Sequence, residues 1–215
     1  MSDEKSPEEL ESEQKQRNKE SGKYLVYSSL GLAGVIIIVF LLLYIFPFSR
    51  TESLNYNGFT FNKIRGSWHT QWQDHEKNIF TPGFRYNPKE VEDVPTLGTL
   101  NSSFSENEVI YLTFEPNASQ EEIKYVALGT TELLLSLMGP LKQNVITGCA
   151  NDQSDACINR SIVTCDDKDK SVIFIKAQSP TGIVLDNNCV IIQGEGFDLV
   201  KSVDRLLFQW YKIIT

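Results

Sequence analysis

The chain has 215 residues, 41% of them hydrophobic and 22% charged, with a formal net charge of −8. That balance is ordinary for folded protein and excludes a wholly disordered chain. Beyond Arg50 there are 21 acidic residues against 14 basic ones. An acidic domain repels phosphate backbones, so no nucleic-acid partner is expected.

The first 23 residues alternate acidic and basic side chains around one strongly apolar residue besides the initial Met, Leu10. Such a segment buries too little surface to offset its ordering entropy, and residues 1–23 are expected to be a disordered tail. Tyr24 to Ser49 then contains no charged residue. Its core, Leu25 to Phe46, makes roughly 33 Å of helix at 1.5 Å per residue, enough to cross a bilayer. A transmembrane helix is expected over 24–48. Tyr24 and Tyr27 suit one interface; Tyr44, Phe46 and Phe48 suit the other. The run is too long for a secretory signal and lacks a small-residue cleavage site. Lys15, Arg17, Lys19 and Lys23 crowd its amino side, which predicts a cytoplasmic amino terminus and a domain outside the cell. The lipid bilayer is thus an expected partner, and the cell membrane the expected location.

A stalk is expected over 49–57, then one domain over 58–215. Phe59 to Ile64 and Trp68 to Trp72 alternate with period two and predict strands, with Arg65-Gly66-Ser67 a turn between them. Tyr86 to Pro95 reads as loop because of Pro88 and Pro95. Val109 to Phe114 predicts a strong strand. Ser119 and Glu122 have capping-box spacing. They open a helix whose stripe is Ile123, Val126, Ala127, Thr130, Leu134 and Leu137, stopped by Gly139-Pro140. Asn144 to Thr147 predicts a strand, and Gly148 to Cys165 an irregular segment. Ser171 to Lys176 and Gly182 to Leu185 flank Ser179-Pro-Thr-Gly, which reads as a hairpin turn. Cys189 to Gln193 predicts a buried strand. A last helix follows Gly194-Glu-Gly196, with Val200, Val203, Leu207, Trp210 and Ile214 in its stripe and Leu206 beside it. The expected class is α+β: one mixed sheet with two helices packed on it, held by disulfides.

All four cysteines, Cys149, Cys157, Cys165 and Cys189, fall in the expected outer domain. An even count in an oxidising exterior predicts two disulfides. The spacing C-x7-C-x7-C-x23-C offers no zinc-type C-x2-4-C pair, and it leaves three connectivities open. His69, His75, Asp74 and Glu76 could approach a cation, but their spacing favours polar side chains that simply face solvent. Asp166 to Lys170 lacks the EF-hand pattern and reads as a solvated turn. Gln193-Gly-Glu-Gly196 could offer N–H groups to an anion but reads as a strand-to-helix turn. No cofactor and no catalytic residue is expected. Asn101, Asn117 and Asn159 stand in N-x-S sequons and are glycosylation candidates.

Several stretches resemble a group of uncharacterised archaeal proteins that pair one amino-terminal span with a small extracytoplasmic domain. They are Tyr86-Asn-Pro-Lys with Val94-Pro95, the capped helix, Thr164-Cys165, Cys189-Val-Ile-Ile, and Val200 to Phe208. The resemblance covers most of residues 55–212. This chain departs from it in having Lys89 where Arg is usual and Asn87 directly before Pro88. The resemblance implies the same architecture and a Cys165–Cys189 bond, which leaves Cys149 for Cys157. The rival is Cys149 with Cys165 and Cys157 with Cys189. The group carries no function across. An anchored protein-interaction or envelope protein, binding a membrane or cell-surface protein, is the expectation. The alternative is an anchored hydrolase with Asp, Glu and His69 or His75 converging in a cleft.

Overall fold

A computed structural model describes residues 27–42 and 52–214. The chain divides into two compact units, Met1–Arg50 and Thr51–Thr215. In the first, residues 27–42 form helix α1, uncharged, with exposed side chains that include Leu30, Val35 and Phe40. Sixteen residues give about 24 Å of helix. Among the described residues no helix is long and apolar enough to cross a membrane. The rest of the span expected over 24–48, and the tail over 1–23, lie outside the described residues.

The second unit is mixed α+β. Its first part is a small antiparallel sheet of β1 (Ser53–Tyr56), β2 (Phe59–Ile64), β3 (Ser67–Thr70) and β6 (Gly83–Phe84), in that order. Between β3 and β6, β4 (Trp72–Gln73) and β5 (Ile79–Phe80) pair as a short ribbon. The segment expected as stalk therefore contains strand β1. Asn57 and Gly58, at φ 46° and 83°, join β1 to β2; Arg65 and Gly66, at 52° and 87°, join β2 to β3. Positive φ at both central residues makes a two-residue hairpin whose twist matches its strands.

The remaining strands form one seven-stranded sheet. They are β7 (Thr96–Leu100), β8 (Val109–Phe114), β9 (Asn144–Cys149), β10 (Ser161–Ile162), β11 (Ser171–Lys176), β12 (Gly182–Asn187) and β13 (Cys189–Gln193). Their spatial order is β10-β9-β8-β11-β13-β12-β7. The first five run parallel; β12 is antiparallel to β13, and β7 is parallel to β12. Helix α2 (Ser103–Glu106) follows β7, α3 (Ile123–Met138) links β8 to β9, and α4 (Phe197–Trp210) follows β13.

The hairpin expected across Ser179-Pro-Thr-Gly is not formed, because β13 lies between β11 and β12. Ser171 to Ile175 is buried on both faces, and such an unbroken apolar run suits a central parallel strand. The antiparallel turn comes one connection later, at Asn187-Asn188, with Asn187 at φ 53°.

The core lies between one face of this sheet and the helices. Ile110, Leu112, Ile173, Ile175, Ile183, Val190 and Ile192 meet Leu133 and Leu137 of α3 and Leu199, Val203, Leu206 and Leu207 of α4. On the other face Val172, Phe174 and Cys189 pack with Val163 and Cys165. The small sheet joins the core at the carboxyl end of α4. Phe208 lies 4.3 Å from Phe84 and 5.8 Å from Phe61, centroid to centroid.

Helix α3 turns inward a stripe that overlaps the expected one at Val126 and Leu137 and departs from it elsewhere. Val126, Gly129, Leu133, Ser136 and Leu137 are buried, while Ile123 and Ala127 are exposed. Its run Leu133-Leu-Leu-Ser-Leu-Met138 is apolar almost all round, so periodicity alone does not choose a face. Ser119 Oγ does accept the Glu122 N–H at 3.2 Å. The reciprocal half of the capping box is absent: the Glu122 carboxylate instead accepts the Gly196 N–H at 2.8 Å. That contact fills the anion-binding position before α4 with the chain's own side chain.

The two disulfides close Cys149 on Cys157 and Cys165 on Cys189, across 8 and 24 residues of sequence.

Candidate functional site

The chemistry concentrates where α3, α4 and the strand end at Phe84 converge. Asp204 sits in the middle of α4 and is fully buried. One carboxylate oxygen accepts the Tyr86 N–H at 2.8 Å, and the Arg85 backbone N–H also points at this group. The other oxygen has no partner among the described residues. Arg205, its neighbour, is nearly buried, and its Nε donates to the Val94 carbonyl at 3.4 Å. The segments Tyr86 to Pro95 and Val200 to Phe208 are thus hydrogen-bonded to each other.

Glu132 approaches from α3 with only 14% of its side chain exposed. The Arg85 guanidinium stands 3.5 Å from one of its oxygens. The other Glu132 oxygen and the Arg85 Nε are buried without partners. The guanidinium thus pairs with Glu132, while Asp204 takes its bonds from the backbone. Burial pushes Asp204 well above the usual carboxylate range, and the Glu132 charge pushes it further in the same direction. Burial also raises Glu132, to about 7, against the opposing pull of Arg85. One cation stabilises one carboxylate, and the second acid keeps its proton at neutral pH.

Glu132 also lines a cavity of about 420 Å³ with His69, Thr81, Ser136, Phe80 and Leu135. The His69 ring lies against Gly83: a Cβ there would fall 2.8 Å from His69 Cε1. Only glycine leaves room for the imidazole in that position. Tyr211 is buried beneath Ser136, its hydroxyl close to the serine without a geometrically good hydrogen bond. Burial raises that phenol to about 12. An acid near 7, an imidazole and two hydroxyls around one cavity can hydrogen-bond a ligand and move a proton.

Most residues marked by sequence fall elsewhere. His75 does not join His69; it lines two other cavities. Asp74 is 2.9 Å from Lys142, and Glu76 pairs with the same lysine. Asn78 and Lys142 hold the Asp74 carboxyl well below its ordinary range. Among the described residues no group of three His, Cys, Asp or Glu could hold a metal. Asp167 accepts the Thr164 N–H and pairs with Lys170, both at 2.9 Å, closing a turn. Asn101, Asn117 and Asn159 are all exposed; the Asn117 amide donates to Gln153 at 2.6 Å.

Glu132, Arg85 and Ser136 carry no signal in the sequence. Asp204 does: it lies four residues after Val200 and three before Leu207, inside the apolar stripe of α4, and a charge there is the exception worth marking.

The Glu132 assignment has a pH consequence. Its folded pKa is raised, so between about 4.5 and 7 the native state holds a proton that the unfolded state has lost. Stability should therefore fall as pH rises through that window, and Asp204, which keeps its proton at neutral pH, extends the fall above it. The drop should be on the order of 2 kcal/mol, less than the full displacement implies because some solvent contact remains. Urea unfolding at pH 5 and pH 8 measures it. Glu132→Gln, which stays neutral throughout, should make the fall shallower and leave the part that buried Asp204 carries; an equal slope in both proteins would refute the assignment.

No family model, no curated protein and no solved structure matches this chain.

Proposed function

We propose that this chain is a single-span membrane protein that presents its second unit outside the cytoplasm as a protein-interaction domain. The uncharged run over 24–48, the basic flank before it and the two disulfides support the anchored, extracytoplasmic reading. The resemblance to archaeal single-span proteins supports the same architecture.

The interaction reading rests on the outer face of α3. Ala127, Thr131, Leu135 and Met138 follow one another along it at helical spacing, without a charge. Leu135 is 69% exposed and Met138 58%. Apolar side chains lined up on a solvent face mark an interaction site more often than singly scattered ones do. The partner would be a membrane or cell-surface protein.

A membrane-impermeant crosslinker applied to intact cells tests both parts. The wild-type chain should be labelled and should yield a discrete crosslinked species. Leu135→Asp with Met138→Asp should keep the labelling and lose that species. Absence of labelling would overturn the topology; an unchanged species would overturn the interface.

A second reading has one observation in its favour. His69, Glu132 and Ser136 line the same cavity, as an anchored hydrolase would require. Asp204 is too deeply buried to touch a substrate and would act only by positioning Glu132 and Arg85.

A further inference from the structure

A second cavity, of about 430 Å³, opens near the carboxyl ends of α3 and α4. Leu100, Phe104, Ile110, Leu137, Leu141 and Trp210 form its apolar wall. Its remaining lining is His75, Ser105 and Gln143. We propose that this cavity binds a small neutral amphiphile: an aliphatic or aromatic body with one hydroxyl or amide head.

The size falls within the range of ligand-binding clefts, and the pattern of an apolar wall with a few polar groups is theirs as well. The wall draws on β7, β8, α2, α3 and α4, with Leu141 just beyond α3, so the fold holds it from several sides. Phe104 and Trp210 face each other across 6.4 Å, a tilted aromatic pair on which a flat or extended body can rest. The Trp210 indole N–H has no hydrogen-bond partner among the described residues, which leaves a donor available.

Charge decides the head group. No Asp, Glu, Lys or Arg lines the cavity, in a chain of which 22% is charged. The polar end of the lining, exposed His75, Ser105 and Gln143, offers a charged head no carboxylate, lysine or arginine to pair with. A hydroxyl or amide is matched by Ser105 and Gln143, each of which both donates and accepts. The adjoining cavity, which shares His75, Leu141, Gln143 and Trp210, does hold charges. There Lys142 is already engaged by Asp74 and Glu76. The inference is independent of the carboxylate pair and of the membrane topology.

Calorimetric titration of the full chain, held in a detergent-free nanodisc, tests it with 1-octanol, octanoate and octylammonium as probes. The alcohol should bind saturably at submillimolar concentration, and each charged analogue at least tenfold more weakly. Ser105→Phe, at an exposed position, and Leu100→Trp should each lower the alcohol's affinity at least tenfold. Circular dichroism of both variants should match the wild type. No saturable binding of octanol, equal binding of an ionic analogue, or undiminished binding to both folded variants would overturn the proposal.

Discussion

Replacing Phe208 by alanine should cost about 3–5 kcal/mol, a large share of the stability of a domain this size. The ring is completely buried and touches two layers at once. Phe61 and Phe84 reach it from the small antiparallel sheet, and Tyr211 stacks edge-on against Phe84 at 5.8 Å. Truncation would remove the aromatic contacts on both sides and leave a cavity at the joint between small sheet and helix. Few hydrogen bonds are positioned to compensate there. The Trp72 indole donates to the Tyr211 carbonyl at 3.1 Å, and Asn57 to the Ile213 carbonyl at 2.9 Å. Denaturant unfolding of the full chain measures the loss, with Phe208→Leu as the volume-conserving control, expected to cost under about 1.5 kcal/mol. Leu207→Ala, in the helix–sheet core, should cost about 2–5 kcal/mol. A loss below about half a kcal/mol for Phe208→Ala would mean that the small sheet is not packed on α4 as described.

The parts of this fold that were legible in the sequence are those with a strong period or a local signal. Val109 to Phe114, Ser171 to Lys176 and Cys189 to Gln193 are apolar enough to announce buried strands, and α4 has a clear stripe. What was not legible depends on partners distant in sequence. β7, Thr96-Leu-Gly-Thr-Leu100, is short and half polar, and becomes a strand only by pairing with β12. Ser53-Leu-Asn-Tyr56 looked like linker because it precedes the first clear alternation. Asn57-Gly58 behind it is a strong hairpin signal that was available. The order of β11, β13 and β12 is a matter of topology, and the turn signal at Pro180 could not settle it. The carboxylate pair is the extreme case. Glu132 and Asp204 lie 72 positions apart, on separate helices, and only packing brings them to one arginine.

The covalent staples give the other large expectation. Removing the Cys165–Cys189 bond by paired serine substitutions should cost about 3 kcal/mol in the loop-entropy account, since it closes 24 residues. Removing Cys149–Cys157, which closes 8, should cost about 2 kcal/mol by the same account. Position argues in the same direction. Cys189 opens β13 and stands in register with Val172 of β11, in the middle of the large sheet. Its partner Cys165 ends the segment that carries Val163 over Val172 and Phe174, on the sheet face opposite α3 and α4. Cutting this bond frees the cover as well as the denatured chain. Amide exchange should therefore accelerate in β11 and β13 in the Cys165→Ser, Cys189→Ser protein. In the Cys149→Ser, Cys157→Ser protein it should accelerate chiefly at the end of β9. The shorter loop is mostly exposed: Asp152, Gln153, Asp155 and Ala156 face solvent, and beside its cysteines only the Ala150 end is seen bonded to the sheet, its N–H donating to the Phe114 carbonyl at 3.0 Å. If both double variants lost equal stability, or if the shorter loop cost more, the bond at Cys189 would not be what keeps the second face of the sheet closed.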